Sequence, residues 1–165
     1  MDQHNRPEPP HAAPPKEMIE AFLDYLRATM VAKLAGLDEE QGRRKLVPSV
    51  TNLLGMVQHL AYVERWWFQM VFAREDRPVL WTDEDPDADW RVAPELSVAE
   101  VIALYEAECA RSREIVAAAS LEDRPAREGK EQTLAWILVH MVEETARHCG
   151  HADILRELID GQTGE

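Results

Sequence analysis

The sequence predicts an all-α fold, a four-helix bundle with one long crossover between its second and third helices. Apolar residues recur at three- and four-residue steps through four segments, which is the period of a helix buried on one side. No segment shows the two-residue alternation of a strand, and the connections run short, long and medium, as in a bundle with one crossover. At 165 residues the chain fits one domain with a core large enough to need no staple.

The first helix starts near Lys16 and carries Ile19, Phe22, Leu23, Leu26, Met30, Leu34 and Leu37; Gly36 or the DEEQG stretch ends it. The preceding MDQHNRPEPPHAAPP is polar and proline-rich, unlike a secretory signal. Residues 1–15 are therefore expected to be a disordered tail and 16–163 the single domain. From Ser49 to Ala73 there is no proline and one glycine, and Leu53, Met56, Val57, Leu60, Val63, Trp67 and Val71 mark the second helix. Residues 74–96 hold three prolines and eight acids without periodicity, so a long surface connection is expected, its TDEDPDAD run a solvated loop. Ser97 and Glu100 have the spacing of a capping box, opening a third helix with core positions Val98, Val101, Ile102, Tyr105, Cys109 and Val116 and an end near Ser120. The turn LEDRPAREGKEQ leads to Thr133 as N-cap of the fourth helix, which Gly161 closes.

Composition removes several classes of function. A formal charge of −13 repels polyphosphate, so no nucleic-acid partner is expected. No apolar run approaches the roughly 20 residues of a membrane span. Cys109 and Cys149 stand 40 residues apart without a CxxC pair, which suggests neither a disulfide framework nor a cysteine zinc site and points to a reducing, cytoplasmic setting.

At about 100° per residue, His140, Glu144, His148 and His151 of the fourth helix fall within one arc of about 80°, on a wider stripe that also carries Trp136, Ile137, Met141, Leu155, Leu158 and Ile159. Polar groups on an inward face must be hydrogen-bonded to one another, hydrated, or bound to a metal. Glu144 and His148, four residues apart, project side by side from adjacent turns and are able to converge on one ion. His59 is the remaining histidine within a predicted helix, on a face with Asn52, Gly55, Val63, Trp66 and Met70. Two histidines and a carboxylate from facing helices would make a three-ligand site with open positions. Two plainer readings stay open on spacing alone: His59 as a satisfied core histidine, and Glu144 with His148 as a helix-surface pair. Cys149 faces away from the Glu144 arc and reads as a packed small residue.

The segments LGMVQHLAYVERWWF, DEDPDADW, LSVAEVIALYEAECARS and TLAWILVHMVEETARHCGHADILRELIDG resemble the DinB-like superfamily, in order and over almost all of residues 17–163. They look closest to its mini-circle protein branch. The resemblance implies an up-down-down-up bundle that holds a divalent metal through three side chains, one on the second helix and two spaced i,i+4 on the fourth. His59 matches the first position and His148 the last. Glu144 stands where most members have histidine, which is similar to the mycothiol-dependent maleylpyruvate isomerases. The donors suit zinc first, then nickel, iron or manganese. By the same resemblance the chain is expected to be a metal-dependent transferase or isomerase using a low-molecular-weight thiol such as mycothiol against an electrophile. His140 or His151 would move the proton, and Trp66, Met70, Trp136 and Met141 would wall the pocket. A metal-dependent hydrolase and a non-catalytic bundle that dimerises or docks a partner are the alternatives; a homodimer is expected in either case.

Overall fold

A computed structural model describes residues 6–125, 129 and 131–164. The start of the expected tail, residues 1–5, and residues 126–128 and 130 of the expected turn lie outside them. Among the described residues the fold is all-helical, with five α-helices, and no helix is long and apolar enough to cross a membrane.

Helix α1 spans Pro15–Leu34 and begins on a proline, tolerated in the first turn because no N–H is needed there. It buries Leu23, Arg27, Met30 and Leu34. The DEEQG stretch, expected only to stop α1, forms a turn of its own, α2, at Glu39–Gly42. Its cause is local: the Asp38 side chain accepts from Gln41 N at 2.8 Å, while Asp38 N donates to Gln41 Oε1 at 3.1 Å.

Helix α3, Leu53–Glu64, starts four residues later than the apolar pattern predicts, because Asn52 takes the cap and accepts from Gly55 N at 2.8 Å. It continues as a π-helical segment, Arg65–Phe72. The wider π turn lets Arg65, Phe68, Gln69 and Val71 all face inward. After a connection that contains one 3₁₀ turn, Ala88–Trp90, α4 covers Val98–Ala117 behind the Ser97 and Glu100 capping box. Helix α5 runs from the Thr133 cap through Leu134–Asp160 to Gly161, whose φ of 79° is the left-handed conformation of a C-cap glycine.

Pairings fix the directions. Helix α1 lies along α5 and α3 along α4. Leu26 O meets Cys149 Sγ and Lys33 O meets Arg156, so α1 and α5 run parallel. Arg27 bonds Glu64 while Leu34 packs with Leu53 and Leu54, so α3 runs against α1. Val98 and Leu54, near the starts of α4 and α3, both lie at Gly42, and further along Arg65 and Gln69 both reach Glu108 midway through α4 at 2.6 Å, so these two run together. The apolar core forms two clusters, one around Met30, Leu54, Leu60 and Tyr105, the other around Leu23, Phe68, Ile137 and Met141.

The inward face of α5 differs from the expected one. Its buried stripe passes through Leu134, Ile137, Leu138, Met141, Thr145, Cys149, Ala152 and Leu155. That centre lies about 90° round from the expected arc, and it leaves Trp136 46% and Leu158 57% exposed. His140, Glu144 and His151 therefore border the core, and His148 is buried at its margin. Cys149 is packed, as its position in the sequence predicts.

Candidate metal centre

His59 comes from α3, and its ring is fixed on two sides. Nδ1 lies 2.7 Å from Asp89 Oδ2, and the ring stacks on Trp90 at 4.4 Å between centroids with 20° between planes. Nε2 faces α5, where Glu144 Oε1 is 3.6 Å away; an ion bound there would take the place of the Nε2 proton while Asp89 keeps the one on Nδ1. One turn on, His148 Nε2 lies 3.1 Å from the same Glu144 oxygen. One donor atom from each of His59, Glu144 and His148 falls within 4.8 Å of the others. Ligand bonds of about 2.0–2.1 Å at tetrahedral angles separate donor atoms by about 3.4 Å, so 3.1 and 3.6 Å bracket the spacing a small divalent cation requires. The Asp89 contact to the far nitrogen of His59 is the carboxylate–histidine arrangement that orients metal ligands. The residues present fit a metal.

Charge supports the same arrangement. Hydrogen bonds from His148 and His59 hold the Glu144 carboxyl well below the usual carboxylate range. Burial pushes the His59 imidazole down, but its bonds to Asp89 and Glu144 more than offset this and its pKa is raised. His148 has no hydrogen-bond partner at buried Nδ1 among the described residues. It is placed by packing, its ring 5.5 Å from Trp90 and 5.6 Å from His151.

Asp89 is the residue the sequence reading missed. The TDEDPDAD run is exposed through Asp87, as expected, but Asp89 is 1% exposed, which overturns the solvated-loop reading at that position. Helix α3 builds its seat. Gln58 Nε2 donates to Asp89 O at 2.6 Å, and a Cβ on Gly55 would lie 2.2 Å from Trp90 O. Further along, Arg43 donates to the carbonyls of Val92, Ala93 and Leu96. The available signal was Trp90: of the acids in that run, Asp89 alone precedes a large aromatic able to carry it inward.

Beside the triad, Val63, Trp66, Trp67, Trp81 and Pro86 wall a cavity of about 220 Å³ that His59 and Asp89 also line. Of the residues expected to wall a pocket, Trp66 lines this cavity. Met70 is half-buried on the π segment, Met141 is enclosed in the core cluster of Leu23 and Phe68, and Trp136 stacks on His140 at 5.1 Å with its other neighbour Trp67 at 5.4 Å. His140 also lies 5.0 Å from Trp67, ring to ring, with Nδ1 3.7 Å from Glu143. His151 is exposed and touches the edge of His148. A larger cavity, about 490 Å³, lies between α1 and α4 and includes none of the triad. Its charges engage each other, Arg113 with Asp24 and Lys16 with carbonyls at the end of α4.

Both cysteines are buried, which disfavours their thiolates. Burial pushes the Cys149 thiol up to about 12 and raises that of Cys109 as well.

Residues 18–161 match the sequence profile of the mycothiol-S-transferase family. The crystal structure of a conserved protein from Enterococcus faecalis is similar over 92% of this chain and 100% of that one, with a TM-score of 0.67 at 17% identity, a likeness of fold. No curated protein gives a match. The chain belongs to the mycothiol-S-transferase family, one of the DinB-like families.

Proposed function

We propose that this chain is a divalent-metal-dependent transferase that joins a low-molecular-weight thiol, mycothiol by family, to the carbon of an electrophile. The observation that carries the reading is the convergence of His59, Glu144 and His148 beside an aromatic-walled cavity. The helix directions and pairings support a DinB-like up-down-down-up four-helix bundle over residues 16–163, with the site between α3 and α5.

His59, Glu144 and His148 would hold the ion, zinc first among those suited to two nitrogens and one oxygen. When bound at such a site with an open position, a divalent cation lowers the pKa of an incoming thiol and supplies a thiolate at neutral pH. Since both cysteines are buried and their thiols raised, the sulfur arrives with the co-substrate. Asp89 keeps His59 Nε2 turned toward Glu144. His140, against Trp67, or His151, on the open side of His148, would accept the thiol proton. Trp66, Trp67 and Trp81 exclude water from the reacting carbon. The sulfur lone pair forms the C–S bond, and the leaving group, a halide for instance, departs with its bonding pair.

The test is turnover of a haloarene or an epoxide by metal-loaded protein with mycothiol, bacillithiol or glutathione. Mycothiol-dependent product, lost in Glu144→Ala and His148→Ala, is the expected result. Turnover indifferent to every thiol yet lost in Glu144→Ala would establish a hydrolase instead.

A further inference from the structure

We propose that the tryptophan-walled cavity beside His59 is the subsite for the electrophile, and that the electrophile is an uncharged compound built on a single aromatic ring. This rests on the transferase reading above and adds the substrate class.

Size sets the first limit. An apolar cavity of about 150 Å³ holds a benzene, so about 220 Å³ takes one ring with one or two substituents. A glycosylated thiol is too large to be enclosed, and a fused ring system would stand partly outside. Polarity sets the second. Val63, Trp66, Trp67, Trp81 and Pro86 offer mostly carbon, and of the polar lining groups His59 Nδ1 and Asp89 Oδ2 are bonded to each other at 2.7 Å, with the buried Asp89 Oδ1 left as one acceptor without a partner among the described residues. Most hydroxyls of a sugar-bearing thiol would go unpartnered there, which leaves the cavity to the apolar reactant and the open side of the triad to the thiol.

Aromatic geometry agrees. Trp66 and Trp81 meet at 6.0 Å and 70°, and Tyr62 and Trp81 at 6.4 Å and 81°. This corner offers an entering ring the offset and edge-to-face contacts that aromatic pairs favour.

Charge excludes anions. Pro86 at the rim is flanked by exposed Asp83, Glu84, Asp85 and Asp87. Three cations on the neighbouring segments are engaged: Arg91 with Asp85, Arg65 with Glu108 and the Pro78 carbonyl, Arg147 with Glu143. A carboxylate-bearing electrophile would meet a negative rim on which these guanidinium groups are already paired.

Trp81 is the specificity-determining residue. It is borne by the connection after the π segment, and Arg65 Nη1 holds that connection through Pro78 O at 2.8 Å. A change in this connection changes the cavity without touching a helix.

Calorimetry and equilibrium dialysis on the full, metal-loaded chain test the subsite with unreactive probes: nitrobenzene, its anionic relative 4-nitrobenzoate, and 1-nitronaphthalene. Nitrobenzene should bind one per chain, with 4-nitrobenzoate and 1-nitronaphthalene each at least ~10-fold weaker. Trp81→Ala should weaken nitrobenzene ~10-fold and Trp81→Phe should restore most of it. In turnover with a chlorodinitrobenzene, Trp81→Ala should raise KM for the arene and leave KM for mycothiol unchanged. Equal nitrobenzene binding by wild type and Trp81→Ala, or tighter binding of the anion, would overturn the subsite. Nitrobenzene binding as described with no thiol-dependent turnover would leave the subsite standing and remove the transferase reading. Thiol-dependent turnover insensitive to Trp81→Ala would do the reverse.

Discussion

Asp89 shows how much rests on one side chain outside the triad. It is fully buried at the end of an otherwise exposed acidic run, and its Oδ2 fixes the ring of His59 from the side opposite Glu144. Carboxylates in that position tune ligand orientation and basicity, so Asp89→Asn should weaken metal binding by ~10–100-fold while helix content stays the same. Competition against a chromophoric chelator measures this, and an unchanged affinity would mean that His59 needs no orienting partner. Cys149 gives the opposite expectation. It is buried against Leu26 O with its thiol pushed up to about 12, which disfavours the thiolate at neutral pH. Cys149→Ala should retain thiol-dependent turnover; a loss of turnover with the fold intact would bring a protein sulfur back into the reaction.

Between elements, the decisive contact is that of α3 with the 3₁₀ turn Ala88–Trp90. Gly55 has no Cβ at the point where Trp90 O approaches to 2.2 Å of where one would sit. Helix propensity alone predicts that Gly55→Ala stabilises α3 by about 1 kcal/mol. The clash with a backbone oxygen works against it and should win, with a net loss of ~1–3 kcal/mol, and the turn it displaces carries Asp89. Gly55→Ala is therefore expected to lower both Tm and metal affinity, although residue 55 touches no ligand. A lower Tm with unchanged affinity would separate the turn from the site. Elements stabilised locally were legible in the sequence: α4 from Ser97 and Glu100, α5 from Thr133 and Gly161, and the pairing of Glu144 with His148 from four-residue spacing, while their grouping with His59 rested on the family resemblance. Elements decided by tertiary contact were not. The π segment depends on what Arg65 and Gln69 reach across to Glu108, and the seat of Asp89 depends on Gly55 and Gln58, more than thirty residues away. The stripe that α5 turns inward, through Leu134, Ile137, Leu138, Met141 and Leu155, overlaps the expected arc only in part, because the smaller Thr145, Cys149 and Ala152 complete it and leave Trp136 outside.

Across the whole molecule, the apolar clusters are tied by ion pairs in the interior. Arg27 clamps Glu64 at 2.6 and 2.8 Å, both side chains almost fully enclosed. Removing one partner leaves a buried charge, so Arg27→Met should cost ~3–5 kcal/mol in denaturant unfolding, and the double variant Arg27→Met/Glu64→Gln should recover much of it. No recovery in the double variant would assign the loss to packing. Burial pushes the Glu108 carboxyl up, but hydrogen bonds from Arg65 and Gln69 outweigh it and the net pKa is lowered. A lowered folded-state pKa means that the unfolded chain takes up protons first. Glu108 thus contributes stability above the ordinary carboxylate pKa, about 4.3, and that contribution is lost as pH falls through its folded pKa. Glu108→Gln should flatten this part of the acid-stability profile, and an unchanged profile would remove Glu108 from acid unfolding. The central claim, that α3 and α5 together hold one divalent ion, is tested most directly by elemental analysis of untagged protein after reconstitution and exhaustive dialysis. The expected result is one ion per chain in wild type and none in His148→Ala, with the helical circular dichroism of the variant retained. Wild-type protein that holds no ion after reconstitution would contradict it and leave His59, Glu144 and His148 as a hydrogen-bonded polar cluster at the edge of the core.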